Sequence, residues 1–142
     1  MALVNADISG SAAIAASKIS GTAVTLAGTE TLTNKRITQR VETTADAATI
    51  TPTGDASDMY TVTALAQAAT IAAPSGTPTS GQKLIIRLKD DGTGRALTWN
   101  STYTVVGTTL PTTTVANKYH YIGCIYNSQS SKWDVVGVLA QA

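Results

Sequence analysis

"KYHYIGCIYNSQSSKWDVVGVL", Lys118 to Leu139, decides how this sequence is read. Two runs rich in β-branched and aromatic residues flank the polar "NSQSS", the pattern of an antiparallel hairpin. Alternation assigns the faces: His120, Ile122, Cys124 and Tyr126 share one side of the first strand, and Tyr119 and Tyr121 take the other. On the second strand Trp133 and Val135 oppose Asp134 and Val136.

The same texture extends back to about Arg40. Strands are expected near 40–44 (RVETT), 47–51 (AATIT), 59–65 (MYTVTAL), 69–73 (ATIAA), 82–89 (QKLIIRLK) and 95–106 (RALTWNSTYTVV, broken at Asn100-Ser101), then at 118–126 and 132–139. Between them lie "TPTGDASD", "APSGTPTSG" and "DDGTG", all turn chemistry. About eight short strands with no long helix predict an all-β domain over 40–142, an antiparallel β-sandwich or jelly roll.

Residues 1–39 differ. The two tryptophans and five tyrosines all lie between Tyr60 and Trp133, phenylalanine is absent, and the N-terminal part offers only scattered Ile, Leu and Val. In "NADISGSAAIAASKISG" (Asn5 to Gly21), Ile8, Ala12, Ala15 or Ala16, and Ile19 recur at helical spacing behind a capping Ser9 or Ser11. A helix of two turns is too short to persist alone in water. "GTAVTLAGTETLTNKRIT" (Gly21 to Thr38) reads as short extended pieces with a turn near Asn34, again with too few apolar residues to close a core. Residues 1–39 are therefore expected to be a low-complexity arm that needs a partner surface.

Ten basic against nine acidic residues leave a net charge of +1, with no basic run. Neither a nucleic acid nor an anionic membrane is expected as a partner. The longest uncharged stretches, Met59 to Gln82 and Ala96 to Asn117, are Thr-rich and interrupted by Pro and Gly, unlike a membrane span. "MALVNADIS" lacks the basic and apolar regions of a secretory signal, so synthesis and assembly in a cytoplasm are expected. One cysteine, Cys124, and one histidine, His120, provide neither an intrachain disulfide nor a Cys/His zinc site. No cofactor or metal is expected.

"VNADISGSAAIAASKISG" followed by "GTETLTNKRIT", together residues 4–38, resembles the repeats of tail fibres, head fibres and related surface proteins of tailed bacteriophages. "SGQKLIIRLKDDGTGRALTWNSTYTVVGTTLPTTT" and "YNSQSSKWDVVG" are similar to small β domains of phage structural proteins. The resemblance implies a non-enzymatic protein on the outer surface of a virion, a homotrimer held by its arm to a major capsid protein or a tail protein. Capsid decoration, as a cement or head-fibre protein, is one form of that role. A short tail fibre or spike that recognises a host surface glycan is the alternative. Small side chains with widely spaced aliphatics let three copies approach one axis, or let the arm lie along another protein. Ile8, Ile14, Ile19, Leu32 and Ile37 are then the candidate anchoring and assembly residues.

Other chemistry has plainer readings. "KDDGTG" lacks the ligand span of a calcium loop and the following helix of a phosphate loop, and is expected to be a hairpin turn. His120 and Cys124 are expected to pack, not to react. Asp55 and Asp58 sit among turn residues with no aromatic cluster to line a sugar cleft. Trp99 and Tyr103 flank "NST" and either stack on a glycan from an exposed face or, the preferred reading, fill the core.

Overall fold

A computed structural model describes residues 33–142. Thr38–Ala142 forms one compact unit, and Thr33–Ile37 belongs to another. Asn34 has φ 57°, the left-handed turn conformation expected near it. Ile37 is exposed. Ile8, Ile14, Ile19, Leu32 and the short arm helix lie outside the described residues.

Among the described residues there are strands and no helix. They run β1 (Val41–Thr44), β2 (Thr49–Ile50), β3 (Met59–Leu65), β4 (Ala69–Ile71), β5 (Lys83–Asp90), β6 (Leu97–Trp99), β7 (Tyr103–Val105), β8 (His120–Asn127) and β9 (Lys132–Ala140). Each expected strand appears within a few residues of its place, and the run 95–106 does break at Asn100, where β6 and β7 part to different sheets.

The pairing departs from expectation. One sheet has the order β1-β3-β5-β8-β9-β7 and the other β2-β4-β6. Strands β1, β3 and β5 are mutually parallel, as are β2, β4 and β6, and β7 runs parallel to β9. Only β5 with β8 and β8 with β9 are antiparallel. The chain thus coils, laying β1, β3 and β5 in one sheet and β2, β4 and β6 in the other, before the predicted hairpin closes the coil. The predicted antiparallel arrangement is therefore corrected to mixed sheets. Alternation reports which face a residue takes but not the direction of its neighbour, and here the links among β1, β3 and β5, and among β2, β4 and β6, each pass through the other sheet, while β7 reaches its parallel neighbour β9 by way of β8 in the same sheet. "KDDGTG" is corrected likewise: it turns a corner between β5 and β6, which do not pair with each other, and is not a hairpin.

In-register stacking builds the core. Tyr60, Ile86 and Ile122 form one inward row, and Val62, Leu88 and His120 the next. Ile50 and Ile71 stack in the smaller sheet, with Trp99 beyond them. The aliphatic members of these rows are fully buried, each contributing about 1.5–3 kcal/mol. Trp133, also buried, lies against Tyr126 with ring centroids 5.2 Å apart. Turns are tied by side chains: Asp58 accepts from the Arg40 backbone N–H at 2.8 Å and from its guanidinium at 2.7 Å, and Asp55 accepts from the Thr77 N–H at 2.8 Å.

Candidate interaction surface

The six-stranded sheet covers the core with one face and presents the other outward. Across its strands the outward row Val41, Met59, Ile85, Gly123, Gly137 is in register. A second row carries Thr43, Thr61, Arg87, Tyr121 and Leu139. Leu139 is 70% exposed, Val136 51% and Ile85 38%. A shallow apolar trough of about 310 Å³ lies between Ile85, Tyr121, Gly123, Val136, Gly137 and Leu139.

Two local features shape the trough. The register shifts where Gly123 pairs with Gly137 but Cys124 pairs with Val135, so Val136 is an extra residue, a bulge. Gly123 and Gly137 face each other across β8 and β9 and leave a furrow where two side chains would stand. A Cβ on Gly137 would meet nothing within 4 Å, and one on Gly123 would approach only the Gly137 carbonyl at 3.9 Å and Val136 Cγ2 at 4.0 Å. Neither glycine has a positive φ. Glycine in a strand costs about 0.5–1 kcal/mol relative to alanine, and the fold of this chain requires it at neither position.

Charge is arranged around the furrow. Along β5, Lys83, Arg87 and Lys89 alternate with the inward aliphatics. The Arg87 guanidinium lies 5.7 Å from the Tyr119 ring centroid and Lys89 Nζ lies 5.0 Å from it. Such contacts are worth about 0.5–1 kcal/mol when exposed. Arg87 Nε and its neighbour Thr61 Oγ1 are buried without a hydrogen-bond partner. Among the described residues the ion pairs are Arg40 with Asp58 and Arg95 with Asp91, so none of the three β5 cations is paired there. On the far side, Asp134 in β9 shares a row with Lys83, two strands away, and accepts from Asn127 Nδ2 at 3.1 Å.

The residues singled out in the sequence fall elsewhere. Tyr103 is buried, and its hydroxyl donates to the Ala72 carbonyl at 3.0 Å. Trp99 is half-buried, donates from Nε1 to the Pro111 carbonyl at 2.8 Å, and meets Tyr103 edge-on at 5.3 Å. The pair is part of the core packing and does not form an exposed stacking platform. His120 and Cys124 are buried on the inward face, and burial pushes the Cys124 thiol up to about 12. Asp90 is buried and hydrogen-bonded by three donors. Sequence reading passed over Gly123 and Gly137. Their signal was a glycine interrupting each of two apposed apolar runs, which marks a bulge or a close approach by another group.

A family model described as "Putative phage tail fibre C-terminal domain" matches residues 49–130, from β2 to the turn of the closing hairpin. The chain belongs to this tail fibre family. It is accordingly a phage structural protein and a component of the virion. No curated protein and no solved structure matches it. Within the tail fibre match lie the β5 cations, Tyr119, Tyr121 and Gly123, while Val136, Gly137 and Leu139 follow it.

Proposed function

We propose that this chain is a non-enzymatic, homotrimeric fibre component on the outer surface of the virion. Residues 1–39 fasten it to a tail or capsid protein, and the β unit projects. The reading rests on one observation: a tail fibre family member exposes Val41, Ile85, Val136 and Leu139 on the outward face of its larger sheet. The engagement of Asp55, Asp58, Asp90 and Asp91 in turns and caps supports a structural and not a hydrolytic role for these carboxylates. Between the two attachment sites, the tail is favoured by the family description, with capsid decoration as the alternative.

The test is a pull-down with particles lacking the protein. Deleting residues 1–21 is expected to leave a β-rich protein that no longer attaches, whereas undiminished attachment removes the arm's anchoring role. Immunogold labelling of intact particles then separates tail from capsid. A second reading, adhesion to a host glycan, is favoured by Tyr119 and Tyr121 beside Arg87 and Lys89, since sugars stack on aromatic rings and acidic sugars pair with cations.

A further inference from the structure

We infer that the open end of the coil, formed by the edges of β1 and β2, is a docking site for residues 23–32 of the same chain, which lay two further parallel strands along it. Anchoring stays with the residues before them, so the inference goes beyond that role and stands apart from it.

The site is built from described residues. Among them, β1 ends the six-stranded sheet and β2 ends the three-stranded one. Both belong to the first round of the coil, so the two edges lie at one end. The Arg40 carbonyl accepts from the Met59 N–H at 3.1 Å, and the Ala48 and Ile50 carbonyls accept from the Thr70 and Ala72 N–H groups at 2.9 and 2.8 Å. Residues of a parallel strand bond alternately to its two sides, so Val41, Thr43 and Thr49 turn their N–H and C=O groups away from β3 and β4. Such a row is a template for another strand. Beside it lies a hollow of about 280 Å³ lined by Arg40, Val41, Glu42, Thr53, Ala56 and Ser57. The Glu42 carboxylate is already engaged there by the Thr53 N–H at 3.2 Å.

The sequence supplies the occupant, in residues that precede the described ones. Val41 and Met59 stand in register 18 residues apart. Carried back one round, that spacing sets "AVTLAGTETLT" (residues 23–33) against "VETTADAATIT" (residues 41–51). Thr25, Ala27, Thr31 and Thr33 then meet their like in Thr43, Ala45, Thr49 and Thr51, and Leu32 meets Ile50.

The phase agrees as well. Val24 and Leu26 fall on Glu42 and Thr44, at the head of the inward rows that continue through Tyr60 and Val62, and Leu32 heads the row of Ile50 and Ile71. The outward positions receive Thr25 and Thr31. A slip of one residue would turn all three aliphatic side chains to the outer face. The link after Leu32, residues 33–40, is as long as residues 51–58, which join β2 to β3, so the segment reaches the edge of its own copy by a loop of proven length. A strand from a foreign protein has no reason to match this spacing.

The experiment uses the full chain carrying Thr25→Cys and Thr43→Cys. Neighbouring strands lie about 4.8 Å apart, within the ~4.4–6.8 Å Cα range of a disulfide, and both positions face outward. Cys124 is buried and its thiol is pushed up to about 12, which keeps it out of the reaction. Mild oxidation is expected to link the pair within single chains, seen as faster migration on a non-reducing denaturing gel. Thr25→Cys with Thr44→Cys, out of register and on the opposite face, should stay reduced. Hydrogen exchange on the unaltered chain reads the edge itself. The Val41, Thr43 and Thr49 amides should be protected, and Leu26→Asp with Leu32→Asp should speed their exchange about tenfold or more while Ile86 in the core is unchanged.

Equal linking of both cysteine pairs, or no linking together with freely exchanging edge amides, would overturn the inference. Links formed only between chains would give the edge to a neighbouring copy's segment and overturn the contact within one chain. Edge amides protected as strongly in the aspartate variant would give the edge to another strand. Anchoring is read separately, in the pull-down, and its failure leaves these readouts unchanged.

Discussion

Asp90 and Thr114 are joined at 2.7 Å, the Thr114 hydroxyl donating to Oδ2, while Oδ1 accepts from the Asn117 N–H at 2.8 Å and the Gly92 N–H at 3.0 Å. One carboxylate at the end of β5 therefore fastens both the corner after it and the segment leading into β8. Burial alone would raise its pKa. The Asn117, Thr114 and Gly92 donors outweigh that and, with a contribution from His120, hold it below the usual carboxylate range.

The sign of the pH effect follows. A depressed folded-state value means that the stabilisation is complete above the unfolded value of about 3.9 and is lost as pH falls through the folded one. Asp90→Asn, which removes that ionisation and weakens the Thr114 contact, is expected to cost about 1–3 kcal/mol at neutral pH and to flatten the acid limb of stability. Urea titrations from neutral pH down to about pH 2, below the ordinary carboxylate range, measure both. An acid limb as steep as that of the unaltered protein would move the effect to other carboxylates.

Gly54 lies against Trp133: a Cβ there would come within 2.9 Å of Trp133 Cζ2 and 3.1 Å of Pro74 Cβ and the Ser75 carbonyl. Gly54→Ala is expected to destabilise by about 1–3 kcal/mol through overpacking, and to shift the Trp133 fluorescence. Gly137→Ala is the matched control, and should leave the fold intact.

Cys124 offers a probe of opening. With the thiol buried and its pKa pushed up to about 12, it should resist a disulfide reagent at mildly alkaline pH in the folded protein and react at once in denaturant. Rapid labelling under native conditions would mean that β8 opens readily.

Tyr103 joins the two sheets through its bond to the Ala72 carbonyl. Burial raises its pKa above the ordinary tyrosine value, so it should not ionise in alkaline titrations until the protein unfolds. Tyr103→Phe is expected to cost about 0.5–1.5 kcal/mol for the lost hydrogen bond, read by thermal denaturation.

Much of this was legible in the sequence because strand formation and facing are local. The alternation in "HYIGCIYN" put His120, Ile122 and Cys124 on one face, which is the buried one, and the same alternation in "KLIIRLKD" buries Leu84, Ile86 and Leu88. Pairing direction was not legible, since it depends on where each link carries the chain, and "TPTGDASD" reads as a turn whether it leads back or across. The same limit hid the glycine furrow. Trp99 and Tyr103 drew notice as aromatics, yet their polar atoms are turned to backbone carbonyls inside. The furrow instead arises from two glycines 14 positions apart that only hairpin register brings together.

The parallel coil also bears on how such a module changes over evolutionary time. Val41 meets Met59 after 18 residues and Met59 meets Ile85 after 26, so successive windings already differ in length, the surplus going into the corners. A duplicated winding inserted before β5 would find a parallel strand on each side in both sheets and would leave the β8–β9 closure unaltered. Lineages carrying this module should therefore differ by insertions of whole windings, near 18 to 28 residues, and seldom by half of one.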